Sequence, residues 1–587
     1  FGATGEKGWN VNASVAIGGS GGDGGLGGDV FVGSAERPVD GLITTRGDDA
    51  HGIYAQSIGG GGGTGGSSTA INIDVDRPKP GEDGNGDGEE QPEGNSLNAS
   101  LSVGGSGGDG NTAGNVVIDN AADLGTFGAQ SHGIFAQSVG GGGGGGGRAA
   151  ALSLSTGDLM PWVDMQGDNW GLDVAVGGSG GGGNDAGRVT VTNRGAIYTE
   201  GALSRGIFAQ SIGGGGGSGA QGVLGTGINW VDDALEVLSP IQTAFAIKGI
   251  IENPSALLPK SGSLKVGGGD GVSGDGDAVF VDNLGDITTL GFSSHAIYAQ
   301  SVGGGGGEAQ LYARARGEAG EDGETEEAWV GIGVVGDLLL GGADGAAGDG
   351  GFVEVLHSGN IYTEGQAASG IYAQSVGGGG GQAGSVEGGL ADPLQLGLGF
   401  EYQREGGSDG DGGFVDVAGN GAIVTTGEAA VGIFAQSVGG GGGVIGNVGG
   451  VAFAGSVGGS GAGGDVSVSH AGDIVTSGDA AHGIFAQSAG GSVETGAAAG
   501  QVTVTVDGHV RATGADASGI LAQSVGAEGN HGKVGVRVEA GGSVLGGSGN
   551  GAGVRVLDGI DNTIENYGTV GALSALVNSP FETERSR

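Results

Sequence analysis

Trp162, Asp164, Asp168 and Trp170 fall within nine residues of one another. Carboxylates can move protons and indole rings can grip sugars, so this is the residue set of a glycan-cleaving groove. It sits on a variable segment, however, and acid–base work needs carboxylates fixed on rigid elements. Gly-Gly-Ser-Gly-Gly-Asp occurs at 18–23 and again at 104–109, a pattern that resembles the calcium-binding nonapeptide of parallel β-rolls. Its apolar position is taken by Gly25 and Asn111, and the copies are not tandem. No cofactor is therefore expected, calcium being the one ion the pattern admits. His51, His132, His295 and His482 share one repeat position, which other copies fill with Arg205, Ser369 and Val431. Metal ligands must converge, and these stand in successive repeats instead. A nucleophile elbow in a strand–turn–helix context and a phosphate-binding Gly-x-x-x-x-Gly-Lys-Ser/Thr are both missing. The expectation is a protein without catalytic activity, and a polysaccharide-active enzyme is the second alternative.

Composition narrows the partners. The 587 residues include 153 glycines and no cysteine, and 21 basic residues face 66 acidic ones for a net charge of −45. No basic stripe exists to meet phosphates, which argues against nucleic acid. The absence of cysteine fits an exported protein. No apolar run reaches the ~18 residues of a membrane-spanning helix. The glycine content shows no Gly-X-Y register, which excludes collagen, and the alternating valines and isoleucines argue against disorder. A start at Phe1 without a leader reads as a segment of a longer, processed protein.

The elements that position these residues are repeats. Gly-Ile-x-Ala-Gln-Ser or a close variant returns eight times, marked by Gln56, Gln137, Gln210, Gln300, Gln374, Gln436, Gln487 and Gln523. The intervals run 81, 73, 90, 74, 62, 51 and 36 residues, yet four copies keep 33 residues between a Gly-Gly-x-x-Gly (Gly104, Gly177, Gly267, Gly341) and the glutamine. A core of fixed length is copied, and the variation sits in one insertion slot. Within the core, Val189/Val191, Ile197/Thr199 and Ile207/Ala209/Ser211 alternate with period two and are separated by bends, which predicts three short strands with one inward face. Units that cannot close a core alone must stack. The fold class is all-β, a parallel β-solenoid of three short strands per coil, about 45 Å long for nine coils at ~4.8 Å each. Gly195, Gly201 and Gly206 fall at bends that need positive φ or close approach. The glutamines are expected to bond side chain to side chain along the stack. Outward of the third strand stand Tyr54, Phe135, Phe208, Tyr298, Tyr372, Phe434, Phe485 and Leu521. A row this apolar is expected to be covered from within the chain, the alternative being a binding surface.

The slot predicts laterally inserted β-hairpins, as in Ala70–Val75 returning at Leu97–Val103, joined to the solenoid through poly-glycine necks that pack backbone on backbone. The inserts span about 64–100, 148–175, 218–265, 308–338, 382–405 and 444–456. One holds a helix candidate at 241–251, with Ser239 as cap and Pro240 in the first turn. Tips at 76–95 and 318–327 are acidic. All five tryptophans lie in or beside the slot, and Trp162, Trp170, Trp230 and Trp329 are the candidate partner-binding anchors.

The string Thr-x-Gly-x-x-x-x-Gly-Ile-Phe/Tyr-Ala-Gln-Ser-Val-Gly-Gly-Gly-Gly-Gly resembles the glycine-rich passenger of bacterial type V autotransporters. The likeness covers roughly residues 1–575 as one repeat domain, with Asp561–Val570 resembling closing coils and 576–587 a linker toward a translocator. It implies export across the outer membrane, display at the bacterial cell surface, and adhesion or aggregation. The implied partners are a host or neighbouring-cell surface, a glycan, or a second copy. The first alternative is a structural filament or matrix protein.

Overall fold

In the computed structural model, the described residues are 10–74, 96–155, 169–220, 222–224, 262–266, 271–305, 338–340, 347–379, 410–440, 461–491 and 497–573. One coil shows why these residues fold as they do. Its strands are Val189–Asn193, Ile197–Thr199 and Ile207–Ile212, with alternate residues buried and Phe208 buried as well in the third. Every strand bonds its equivalents above and below in parallel, so the coils form three sheets of ten, ten and nine strands. Register is exact by residue type: Ile207 pairs with Ile134 on one side and Ile297 on the other. These isoleucines lie in one continuous core with the valine columns of the first sheet. No helix among the described residues is long and apolar enough to cross a membrane.

Polar ladders close what the aliphatic columns leave open. Thr199 Oγ1 donates to the Ser204 carbonyl at 2.6 Å, tying off the turn between the second and third strands. Ser211 Oγ donates to the Gly187 carbonyl at 3.1 Å and accepts from the Asp277 amide of the next coil at 2.9 Å. At the end of the first strand a fully buried asparagine column runs Asn120 to Asn193 to Asn283, at 2.8 and 2.7 Å. Each asparagine also donates to the carbonyl two residues on, as Asn193 does to Gly195 at 2.9 Å. A buried amide bonded on both sides satisfies the corner backbone that the sheet cannot.

The bend glycines are required for space. Gly195 and Gly201 have no positive φ, but a Cβ would lie 2.0 Å from the Ala122 carbonyl oxygen and 1.9 Å from that of Gly128. The left-handed residue of that turn is Leu203 (φ 58°), with Ala367, Ala429 and Ala480 at the same place in other coils.

The inserts correct the hairpin expectation. Asn10–Ile17, Ser96–Val103, Asn169–Val176, Gly262–Val266 and Leu338–Leu340 form one parallel five-stranded sheet. Ser68–Asp74, Ala149–Ser155 and Gly222–Leu224 form a parallel three-stranded sheet. Among the described residues, outgoing and returning arms do not pair with each other; each pairs with its counterpart one coil along. The two arm sheets face each other over small buried side chains, Ala149, Ala151 and Ala175, with Ser68 Oγ and Ser102 Oγ 2.7 Å apart. The helix candidate at 241–251 and the acidic tips at 76–95 and 318–327 lie outside the described residues.

Candidate functional site

The necks explain the parallel arms and form the most unusual part of the molecule. Outgoing Gly59, Gly62 and Gly65 donate to the carbonyls of Val139, Gly142 and Gly145 in the next outgoing neck, at 2.8–2.9 Å. Gly60, Gly63 and Gly66 donate across to Gly25, Gly22 and Gly19 of a returning neck, at 2.7 Å. Gly105, Gly108 and Asn111 donate back to Gly66, Gly63 and Gly60, at 2.8–3.0 Å. The period is three residues, that of an extended polyproline II-type helix, here bonded to several neighbours at once. Since each neck repeats the coil-to-coil translation, the arms inherit parallel partners.

The lattice dictates which residues are glycine. A Cβ on Gly62 would lie 1.8 Å from the Gly108 oxygen, and one on Gly144 would lie 2.0 Å from that of Gly63. Around Gly142 and Gly145 the nearest atoms are 3.5 and 3.6 Å away. Ser106 and Asp109 occupy this third, outward position, while Asn111 stands at a bonding position where the neck rejoins the coil. Asp109 Oδ1 accepts from the Gly182 amide at 2.7 Å, and the Asp23 carboxylate accepts from the Asp109 amide at 3.1 Å. The Gly-Gly-x-Gly-x-Asp strings are thus neck triplets, with their carboxylates on backbone amides. Among the described residues no group of three or more His, Asp and Glu side chains is placed to hold a metal ion.

The outward face of the third sheet carries three columns. Gln56, Gln137, Gln210, Gln300, Gln374, Gln436, Gln487 and Gln523 bond side chain to side chain in one uninterrupted run, with Gln210 Nε2 2.6 Å from Gln300 Oε1. The run ends on Asp558, whose carboxylate accepts from Gln523 at 2.7 Å. Beside it, the rings from Tyr54 to Phe485 stack with centroids 4.5–5.2 Å apart and planes 4–14° from parallel. Among the described residues, this self-stacking stands in place of the expected cover from within the chain. Each ring hides the faces of its neighbours and leaves an edge outward, so most of the row is half-buried while Tyr54 at its end is 53% exposed. Ring faces committed to stacking are not free to receive a sugar. The third column is aliphatic: Ile58, Val139, Ile212, Val302, Val376 and Val438.

The histidines that share a repeat position serve the stack. His132 Nδ1 accepts from the Arg205 amide at 3.0 Å and His295 Nδ1 from the Ser369 amide at 3.0 Å, each reaching the next coil. Burial, then the Arg205 charge, pushes both imidazoles down to about 3. The Arg205 guanidinium lies over Tyr298, 4.3 Å from the centroid, and its own burial lowers its affinity for the proton. His357 and His470 extend the asparagine column, separated by one coil in which Gly419 takes the position. Burial first pushes both down to about 4.

Of the tryptophan anchors, Trp170 lies in the arm strand Asn169–Val176, in register with Leu97 and at the end away from the neck. Trp162, Trp230 and Trp329 lie outside the described residues, as do Asp164 and Asp168. The asparagine column was missed from the sequence, whereas the backbone-on-backbone packing of the necks was expected and only its three-residue lattice was not read. A three-residue Gly-Gly-x phase within each neck was the available signal. Comparison of the chain with protein-family models, with curated proteins and with solved structures found no match.

Proposed function

We propose that this chain is a non-catalytic display scaffold: a surface-exposed passenger of the autotransporter type that holds variable insert tips away from its solenoid for adhesion, aggregation or matrix contact. The neck lattice is the observation that carries the reading. Eight residues from Gly59 to Gly66, at ~3.1 Å each, span about 25 Å. Hydrogen bonds between neighbouring necks make that spacer a slab rather than a set of tethers. Tips that differ in length and composition then ride on arms of common register. The acidic surplus fits the same reading, since aspartates such as Asp185, Asp275 and Asp349 accept amide hydrogens of the following coil at 2.7–2.9 Å while keeping the object soluble.

The test is to display the chain on a non-adherent bacterium through an outer-membrane anchor and score clumping and attachment to cells and glycans. Replacing 156–168, 225–261 and 306–337 with short Gly-Ser links should abolish attachment while the β-sheet circular dichroism persists. Attachment undiminished by the trimming, or none from the intact chain, overturns the proposal.

A further inference from the structure

Along the third sheet, the outward columns read Tyr54-Gln56-Ile58, Phe135-Gln137-Val139, Phe208-Gln210-Ile212, Tyr298-Gln300-Val302, Tyr372-Gln374-Val376, Phe434-Gln436-Val438, Phe485-Gln487-Ala489 and Leu521-Gln523-Val525. No charged residue occurs in these columns until Arg555 in the last strand, and the one guanidinium over the rings among the described residues is that of Arg205, above Phe208 and Tyr298. The outward face of the first sheet, by contrast, carries Asp119, Asp282, Glu354 and Asp416. On a chain of net charge −45, a face of this length with no acid in its columns through its first eight strands calls for an occupant.

We infer that this face is where a second copy of the chain packs, sheet against sheet, with a two-fold axis running along the glutamine column. Three observations favour a second copy over other partners. Like-charged molecules repel wherever acids meet, and two copies meet fewer acids on this face than on that of the first sheet. Eight strands at ~4.8 Å by six residues at ~3.3 Å give about 750 Å² per copy, or about 1,500 Å² in all, the size of a standard specific interface. The columns are also self-complementary. An axis along the glutamines sets the bulky aromatic column of one copy against the smaller aliphatic column of the other. It sets glutamine against glutamine, where a ladder amide such as Gln210 or Gln300 retains a second N–H and a second carbonyl lone pair. A sugar chain is the poorer fit, because the ring faces are occupied by one another.

The intact chain should sediment at twice its 55.6 kDa mass at tens of micromolar, and more completely as salt screens the repulsion. Val302→Glu with Val376→Glu should return it to a monomer with unchanged circular dichroism. Val139→Glu with Ile212→Glu should do the same from another part of the face, and Thr190→Glu on the first sheet should leave the dimer intact. The chain has no cysteine, so Gln137→Cys and Gln436→Cys can each be cross-linked to its own copy by a bis-maleimide spanning about 10 Å, the separation of packed sheets. Linkage at both positions is expected for an axis along the column. A monomeric intact chain, a dimer that survives both glutamate pairs, or linkage at only one cysteine position overturns the inference.

Discussion

Alanine at Gly143 and at Gly142, adjacent residues of one neck, should have opposite effects. At Gly143 the new Cβ would lie 1.8 Å from the Gly181 oxygen and 2.7 Å from the Gly217 nitrogen, whereas ordinary contact begins at 3.4 Å. Relief requires the necks to part by about 1.5 Å, taking 3.4 Å as the start of contact. The bonds from the Gly143 amide to Gly215 and from the Gly217 amide to Gly181, 2.9 and 2.8 Å long, do not survive that displacement. Two lost bonds with their groups left unpaired cost about 2–6 kcal/mol. At Gly142 the nearest atom is 3.5 Å away and φ is outside the left-handed region, so alanine should stabilise by about 0.4–1 kcal/mol through the unfolded chain. Native-state hydrogen exchange reads the difference directly. Amides at 178–181 and 214–217 should exchange ~100-fold faster in Gly143→Ala for a local loss of about 3 kcal/mol, and no faster in Gly142→Ala. Equal protection in the two variants would refute the lattice and leave the necks as tethers.

Asn193→Ala removes the 2.8, 2.7 and 2.9 Å bonds of a fully buried amide and should destabilise by about 3 kcal/mol or more in denaturant titration, more than Asn193→His. Gln300→Leu breaks two rungs of the half-buried amide ladder and should cost about 1–2 kcal/mol by the same assay. Acid should weaken the stack through its buried histidines. Because the folded imidazoles of His357 and His470 are pushed from 6.5 down to about 4, the unfolded chain binds more protons between those values. Stability is therefore full above pH 6.5 and falls toward pH 4, by about 3 kcal/mol per histidine. His470→Asn should flatten that part of the pH profile.

The coil could be read from the string because its inward residues alternate with strict period two and its length is copied. Ile207 and Ile297, 90 residues apart in sequence, announce their column by identical surroundings. The partner of each arm strand could not be read the same way. Alternation at Ala149–Ser155 identifies a strand, but its pairing with Ser68–Asp74 is set by lateral bonds in the necks. Those necks hid their order because the Gly-Gly-x triplet holds only within each neck and is broken by every coil between. Glycine at 201 signals crowding, whereas the positive φ two residues later sits on Leu203, a residue type that gives no hint of it. Among the described residues the stacked rings satisfy the demand for burial by one another, an outcome that composition does not distinguish from a covering layer. For the tryptophan anchors, the arm around Trp170 was legible as a strand, and its binding role rests on the adhesion proposal.

Pairs of cysteines introduced into this cysteine-free chain give the most direct reading of its stacked register. Thr190 and Phe280 are neighbours on adjacent strands of the first sheet, at ~4.8 Å and within disulfide reach, while Thr190 and Asp282 are offset by two residues and ~8 Å apart. Mild oxidation of Thr190→Cys with Phe280→Cys should close the disulfide nearly completely, and Thr190→Cys with Asp282→Cys should stay reduced. Equal oxidation of the two pairs, or preference for the offset pair, would contradict the stack from which the necks, the arms and the display reading are all built.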